Sequence, residues 1–291
     1  MVRIVSEQAP AKINLSLHVI GKREDGYHDL DSIMLPVAMY DQLAIELRDG
    51  RGRRVTLSCD RTDIPHDERN LAVRAAHTFM DEFNVDADVT IDLRKAIPSG
   101  AGLGGGSSDA AAVLRAMSNL MRHNDPAQLA ATALKIGADV PFFLTAKPAR
   151  ARGVGEILSE LTQFPRLDLL IAVPPVEVST AAVFRALQAK NWSGPIDSAA
   201  LDRMTTGHIK ATDLINDMEA AAIALFPIIG ELKLKLQILG AVAAGMSGSG
   251  GAVFGIFNNL ADATGAADKL RIEAPNASIY AVHTIGGERP A

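Results

Sequence analysis

The chain has little cysteine, few aromatic residues and no long uninterrupted apolar segment. Cys59 is the only cysteine among 291 residues, so neither a disulfide framework nor a cysteine-based metal site can form. Because no run of about 18 apolar residues occurs, no transmembrane helix is expected. The N-terminal sequence lacks the continuous apolar core of a secretory signal. These features predict a reducing, cytoplasmic location.

The chain also has no excess of positive charge. Its formal net charge is −5, from 29 lysine and arginine residues against 34 aspartate and glutamate residues. Since a nucleic-acid-binding surface is usually basic, nucleic acid is not the expected partner. Hydrophobic residues make up 48% of the chain, which is typical of a globular protein with one large or two ordinary domains.

Alternating apolar and polar residues in the first part of the chain predict strands of an antiparallel or mixed sheet with one solvated face. On the first of these strands, Lys12 and Asn14 share the polar face. Both side chains could point into a cleft, but spacing alone favours an ordinary solvated strand face. The residues from Asp49 to Gly52 predict a hairpin turn to the next strand.

The segment 145–165 is basic, contains proline and glycine, and is weakly patterned. It therefore predicts a domain boundary, which we place between residues 155 and 156. The mixture of helices and strands after this point predicts an α+β sandwich. Helices are expected at 70–82, 108–121, 126–136, 212–225, 228–239 and 261–271, and from about residue 180.

Residues 97–114, IPSGAGLGGGSSDAAAVL, contain five glycines in one turn. Each glycine costs about 0.5–1 kcal/mol relative to alanine on ordering, so a close approach to the bare backbone is the expected reason. Residues 100–105 fit G-x-G-x-x-G between a predicted strand and a helix, yet no second strand ending in an acidic residue follows about 20 residues later, and no lysine completes a Walker A loop. Bare amides leading into a helix N-terminus still favour phosphate binding over a purely structural turn.

Three further segments are candidates for a site. Asp139 in GADVPFF precedes an apolar run, where an acidic residue is more often a helix cap. Tyr27 and His28 lie in a polar loop of a chain with only 4% aromatic residues, which is a modest indication of binding. Residues 245–255, GMSGSGGAVFG, form a second glycine turn, either a simple bend or part of a joint phosphate or substrate enclosure.

Three blocks together resemble the superfamily of galactokinase, homoserine kinase, mevalonate kinase and phosphomevalonate kinase, the GHMP kinases. They are APAKINL at residues 9–15, the PSGAGLGGGSS loop and the MSGSGGAVF turn. The resemblance implies an α+β, two-domain GHMP kinase architecture. Residues 1–155 would form a ribosomal-S5-like, ATP-binding N-terminal domain, and residues 156–291 a ferredoxin-like C-terminal domain.

Other segments are similar to one branch of this superfamily: KINLSLHVIGKREDGYHDLDS, GLGGGSS, IGADVPFF, VSTAAVF and NDMEAAA. This resemblance implies ATP-dependent phosphorylation of the 2-hydroxyl of 4-diphosphocytidyl-2-C-methyl-D-erythritol, in the non-mevalonate route to isoprenoid precursors. The implied cofactors are ATP and Mg²⁺, and the implied partner is this cytidine diphosphate sugar alcohol. Neither nucleic acid nor a membrane is expected to bind.

The resemblance also implies roles for individual residues. Lys12 and Asp139 match the catalytic pair, and Ser108 is a candidate Mg²⁺ ligand. The matching ATP phosphate loop consists of Pro98, Ser99, Gly100, Ala101, Gly102, Leu103, Gly104, Gly105, Gly106, Ser107 and Ser108. The matching substrate contacts are Asn14, Tyr27, His28, Thr180 and Phe184, with Tyr27 and Phe184 on either side of the cytosine.

One segment departs from the family pattern. After PFF the chain continues as LTAKPAR instead of a short glycine-containing turn, so the substrate contact of that turn has no counterpart here. Lys147, Arg150 or Arg152 could reach a diphosphate in its place.

Two alternatives stay open on the sequence. A related kinase acting on homoserine or a mevalonate derivative would have no binding role for Tyr27, His28 and Phe184, since those substrates have no nucleobase. A non-catalytic module that uses the same fold to bind RNA or a protein fits the acidic charge and the two glycine turns less well.

Overall fold

The structure, a computed structural model, describes residues 2–50, 52–123 and 125–286, and only the backbone of Asn191. In these ranges the chain is a mixed α+β protein. The strands are β1 (Val2–Lys22), β2 (His28–Asp49), β3 (Val55–Cys59), β4 (Ala87–Arg94), β5 (Ala149–Gly153), β6 (Ile157–Glu160), β7 (Asp168–Val173), β8 (Ala243–Met246), β9 (Val253–Phe257) and β10 (Ser278–His283). The helices are α1 (Leu71–Glu82), α2 (Gly105–Met121), α3 (Pro126–Ile136), α4 (Val140–Thr145), α5 (Thr180–Ala186), α6 (Ser198–Thr205), α7 (Glu219–Leu225), α8 (Ile228–Ile238) and α9 (Leu260–Glu273).

The chain forms two compact units, and the first consists of residues 1–11, 39–97 and 104–146. In its sheet, β4 lies between β2 and β3, antiparallel to β2 and parallel to β3. The expectation of a mixed sheet is therefore confirmed. The hairpin predicted from Asp49 to Gly52 is wrong, because β3 pairs with β4 instead of β2. Arg51, in the middle of that turn, lies outside the described residues.

The second unit consists of residues 12–38, 98–103 and 147–291. Its four-stranded antiparallel sheet has the order β10-β7-β9-β8, which is the order of a ferredoxin-like fold. All six residues of β7 are buried, and the helices α8 and α9 pack on the face of the sheet that carries Leu170 and Ala172. The ferredoxin-like prediction for the C-terminal part is confirmed.

The segment 145–165 is more regular than its composition predicts. β5 pairs with β6 and also with the first half of β2, from Leu30 to Met34. The alternation in these strands is too short to be recognised in the sequence. The boundary between residues 155 and 156 stays a prediction, since the long strands β1 and β2 contribute residues to both units.

The polar residues of β1 are buried, so the predicted solvated face of this strand is wrong. Lys12, Asn14, Ser16 and His18 are each at most 5% exposed. Strand β1 is buried without interruption from Ala9 to His18. Burial of Asn14 and His18 is possible because other groups of the second unit bind their side chains: Asn14 Nδ2 donates to Ser32 Oγ at 2.8 Å, and His18 Nδ1 lies 2.8 Å from Ser193 Oγ. The Ser16 hydroxyl has no partner among the described residues.

Helix boundaries follow local signals where these are strong. Asp125 accepts hydrogen bonds from the Ala127 and Gln128 amides, and Pro126 follows it, so α3 begins as predicted. The helix predicted at 212–225 is wrong in its first half. A single 3₁₀ turn at Ala211–Asp213 is followed by a break before α7.

Candidate active site

The glycine loop has a backbone that most residues could not adopt. Gly100, Gly102 and Gly104 have φ angles of 67°, 81° and 73°, in the left-handed region that favours glycine. Gly104 is the N-cap of α2, and within the described residues no side chain caps this 17-residue helix. The first amides of α2 are therefore available to an anion, at the positive end of the helix dipole.

The second glycine turn packs against the first through bare backbone. A Cβ atom on Gly102 would lie 2.3 Å from the Ser247 carbonyl oxygen, and one on Gly250 would lie 2.2 Å from the Ala101 carbonyl carbon. Both distances are far below van der Waals contact. All of these residues belong to the second unit. Glycine is thus required at positions 102 and 250 by packing alone.

The buried hydroxyl of Ser247 joins three segments of the second unit. Its Oγ accepts a hydrogen bond from the Asn14 amide at 3.1 Å and donates to the Gly102 carbonyl at 3.0 Å. From the other side of the turn, the Asn216 side-chain amide donates to the carbonyls of Met246 and Gly248 at 2.9 and 2.8 Å. The turn is therefore fixed by specific hydrogen bonds to β1 and to the glycine loop.

Lys12 and Asn14 meet at this turn. The Lys12 ammonium donates to Asn14 Oδ1, and Asn14 Nδ2 donates to Ser32 Oγ at 2.8 Å. A Cβ placed on Gly248 would lie 3.1 Å from Asn14 Oδ1 and 3.5 Å from Lys12 Nζ. The structure thus brings two predicted site residues together beside the second glycine turn. A buried ammonium at this place can bind an anion.

Asp139 lies in the first unit, directly before α4. It occupies the N-cap position, but among the described residues its carboxylate accepts no capping hydrogen bond from the helix. The capping interpretation is therefore wrong, although the position in the chain is that of a cap. A catalytic role for Asp139 stays a prediction.

Two of the predicted substrate contacts, His28 and Phe184, form an aromatic group with Trp192 in the second unit. The His28 ring stacks on Phe184, with ring centroids 5.1 Å apart and planes 26° apart. Trp192 packs edge-on against His28, with centroids 6.0 Å apart. Burial, and to a smaller extent the charge of Lys22, lowers the pKa of His28. The ring stacked on Phe184 in this structure is that of His28, and Tyr27 is 65% exposed.

The side chains of Thr180, Lys147 and Arg150 have partners within the second unit. Thr180 Oγ1 lies 2.8 Å from Ser249 Oγ, in the second glycine turn. Arg150 forms a two-pronged ion pair with buried Asp31, and Lys147 binds exposed Glu160. Although burial of Asp31 acts in the opposite direction, the hydrogen bond from Arg150 lowers its pKa. The contacts of Arg150 are thus structural in this state.

A buried ion triad in the first unit holds the start of α2. The Lys95 ammonium binds Asp109 Oδ2 at 2.7 Å and also binds Asp41. Asp41 Oδ1 accepts hydrogen bonds from the amides of Ala96 and Ile97 at 2.6 and 2.9 Å. Burial, opposed by Lys95 and reinforced by Asp41, raises the pKa of Asp109 to about 7. When both carboxyl groups are ionised, the triad carries one net negative charge in this interior.

The side chain of Ser108 is not exposed as a metal ligand at the surface of the loop would be. It is fully buried, and its Oγ has no hydrogen-bond partner among the described residues. In the same described part of the chain, no three His, Cys, Asp or Glu side chains cluster as a metal site. Its role as a Mg²⁺ ligand stays a prediction.

Two family models match the chain. The model of the GHMP kinases N terminal domain matches residues 70–147, and that of the GHMP kinases C terminal domain matches residues 200–276. Solved structures with the same fold include a homoserine kinase from Cytophaga hutchinsonii, with a TM-score of 0.74 and 19% identity over 99% of this chain and 96% of that one. The fold and the glycine turns are those of a GHMP kinase.

More similar proteins narrow the family. The 4-diphosphocytidyl-2-C-methyl-D-erythritol kinases of Syntrophotalea carbinolica and Caldicellulosiruptor saccharolyticus are 40% and 41% identical to this chain, over 90% and 91% of it and 92% of each relative. A crystal structure of 4-(cytidine 5'-diphospho)-2C-methyl-D-erythritol kinase is also similar, with a TM-score of 0.81 and 36% sequence identity. The match covers 97% of this chain and 100% of the chain in that crystal structure. The chain belongs to the 4-diphosphocytidyl-2-C-methyl-D-erythritol kinase family of GHMP kinases. It is a small-molecule phosphotransferase.

Some residues of the site were not found from the sequence. Ser247 and Asn216 lie in segments that carry the resemblance, MSGSGGAVF and NDMEAAA, but no role could be assigned to them. No motif and no family resemblance marks the sequence around Trp192 or Lys95. The one available signal for Trp192 is that the chain contains no other tryptophan.

Proposed function

We propose that this chain transfers the terminal phosphoryl group of ATP to the 2-hydroxyl of 4-diphosphocytidyl-2-C-methyl-D-erythritol. The names of the relatives support the substrate. The uncapped N-terminus of α2 behind the glycine loop carries the nucleotide part of the proposal. A cytoplasmic location stays a prediction. In the part of the chain that the structure describes, no helix combines the length and apolarity needed to cross a bilayer.

The glycine loop fits a triphosphate for a reason separate from packing. Gly106 is exposed, and a Cβ atom there would meet only Leu71 at an ordinary 3.6 Å. Packing therefore does not require glycine at position 106. Its bare amide lies in the first turn of α2, where backbone donors and the helix dipole favour an anion. Such donors need no reorganisation during the reaction, which is the main source of catalysis in phosphoryl transfer.

Lys12 and Asp139 act on the acceptor side in this proposal. Asp139 orients the acceptor hydroxyl and takes its proton. Lys12 neutralises part of the charge of the transferring group, and its hydrogen bond to Asn14 Oδ1 supports a fixed position for the ammonium. Asn14 is itself held by Ser247 and Ser32, so the second glycine turn supports the acceptor side as well.

Mg²⁺ bound with ATP would neutralise part of the charge of the phosphates. The described residues offer it few direct ligands, since Ser108 is buried and no acidic cluster is found there. Mg²⁺ commonly keeps several waters and binds through phosphates and one or two protein oxygens. The residues present fit that mode of binding.

The aromatic group would bind the cytosine. A neutral His28, which its lowered pKa favours, offers one ring nitrogen as a donor and the other as an acceptor. Phe184 provides an apolar face for stacking. Thr180 lies beside the second glycine turn, because its hydroxyl is within hydrogen-bond distance of the Ser249 hydroxyl in that turn.

The test is incubation with ATP, Mg²⁺ and the cytidine diphosphate substrate, followed by ³¹P NMR. A new phosphomonoester signal, with ADP formed in equal amount, is the expected result. Homoserine and mevalonate serve as control acceptors in parallel samples. Turnover of either control at the rate of the cytidine substrate would contradict the proposal.

A further inference from the structure

The indole N–H of Trp192 has no hydrogen-bond partner among the residues that the structure describes. Its nitrogen, Nε1, is buried. A buried tryptophan N–H normally finds a partner, because leaving it unpaired costs free energy. Unpaired buried groups in native proteins are uncommon and call for an explanation. A ligand that supplies the missing acceptor is one such explanation.

The position of Trp192 is fixed by its neighbours in the second unit. The amide and the hydroxyl of Ser193 both bind Asp217 Oδ2 at 3.0 Å, and the hydroxyl also lies 2.8 Å from His18 Nδ1. The indole packs against the hydrophobic core of this unit. The unpaired N–H is therefore held in place by a tied-down backbone.

The aromatic group places the indole of Trp192 next to the proposed base site. The His28 ring contacts both Phe184 and Trp192, so these two rings border the same histidine. A pyrimidine that stacks on Phe184 would present the acceptors of its ring edge, a carbonyl oxygen and a ring nitrogen. This is the chemistry that an indole N–H, which can only donate, requires.

We propose that Trp192 is a specificity-determining residue of the substrate site, whose indole N–H donates a hydrogen bond to the pyrimidine base of the bound cytidine nucleotide. The inference rests on the proposed function, because it needs the base to bind beside His28 and Phe184. It adds a base contact that the sequence resemblance did not include.

The single tryptophan makes a direct test possible. In a ¹⁵N-labelled sample of the whole chain, Trp192 gives the only indole N–H signal. Addition of cytidine 5'-diphosphate is expected to move this proton downfield and to slow its exchange with water. Addition of ADP is expected to leave it in place. An indole signal that is unmoved at saturating cytidine diphosphate would overturn the proposal.

Trp192→Phe separates the N–H from the ring, since phenylalanine keeps an aromatic contact with His28. By calorimetry, the Kd of cytidine diphosphate should rise about fivefold, as expected for one lost hydrogen bond. The Kd of ADP should stay unchanged, which also shows that the variant is folded. Unchanged affinity for cytidine diphosphate would refute the role of the N–H.

These experiments distinguish a failure of this inference from a failure of the proposed function. If the parent chain phosphorylates the cytidine substrate but the indole signal and the Trp192→Phe affinity do not respond, only this inference fails. If the parent chain neither binds cytidine diphosphate nor phosphorylates the substrate, the proposed function fails and the inference with it.

Discussion

The buried triad of Lys95, Asp41 and Asp109 makes the stability of the first unit depend on pH. In the unfolded chain Asp109 loses its proton near its ordinary pKa of 3.8, whereas in the folded chain it keeps the proton until about pH 7. Between these values the folded state binds more protons than the unfolded state. The free energy of unfolding therefore falls as pH rises from about 4 to about 7, and the contribution is constant above that range.

The magnitude follows from the two pKa values. Their difference corresponds to about 4 kcal/mol at 1.36 kcal/mol for each tenfold change. Because neighbouring charges share in this interaction, we expect about half of this to be observed. Asp109→Asn removes the ionisation and leaves Lys95 paired with Asp41. At pH 8 the variant should be more stable than the parent by about 2 kcal/mol, and at pH 5 by only about 1 kcal/mol.

The assay is urea denaturation followed by far-ultraviolet circular dichroism at pH 5, 6, 7 and 8. The matched control is Asp86→Asn, which removes one negative charge from an exposed carboxylate of the same unit. Its curve should run parallel to that of the parent. If Asp109→Asn also ran parallel to the parent over this range, the reasoning about the buried charge would be refuted.

Three further changes test the site. Asp139→Asn should lower kcat roughly a hundredfold or more while ADP still binds, because only proton transfer and orientation are lost; steady-state kinetics with unchanged kcat would remove Asp139 from the chemistry. Phe184→Ala should raise KM for the cytidine substrate about tenfold and leave KM for ATP unchanged, since base stacking contributes about 1–3 kcal/mol; equal effects on both would contradict a base site. Ser247→Ala should destabilise the chain by about 1–3 kcal/mol, because the Asn14 amide and the Gly102 carbonyl lose a buried partner; a thermal melt equal to that of the parent would disprove this.

The fold was predictable where local patterns and a family resemblance agreed. Helix α3 begins at an Asp-Pro cap that can be read directly. The strands of the C-terminal sheet follow short apolar runs. The predicted hairpin at Asp49 failed because turn residues identify a turn but not the strand that pairs after it. Strand order depends on contacts between distant segments, which local patterns do not contain.

The site was predictable in its residue types but not in its connections. The alternation of β1 correctly places Lys12 and Asn14 on one side of a strand, yet it predicts a solvated face. Their burial results from packing within the second unit, where Ser32 and Ser247 supply partners. No periodicity in β1 carries that information. For the same reason the partners of Lys95 were invisible, since Asp41 is 54 residues away along the chain.

The backbone contact between the two glycine turns limits which second mutations can compensate for a substitution at one of the contacting glycines. Where side chains interlock, a bulkier residue at one site can be offset by a smaller one at its neighbour. At Gly102 and Gly250 each alpha carbon faces main-chain atoms of the opposite turn, and main-chain atoms cannot be made smaller. In a search for suppressor mutations, a lesion at either glycine should be rescued by reversion or by a change in loop length, and not by a second substitution.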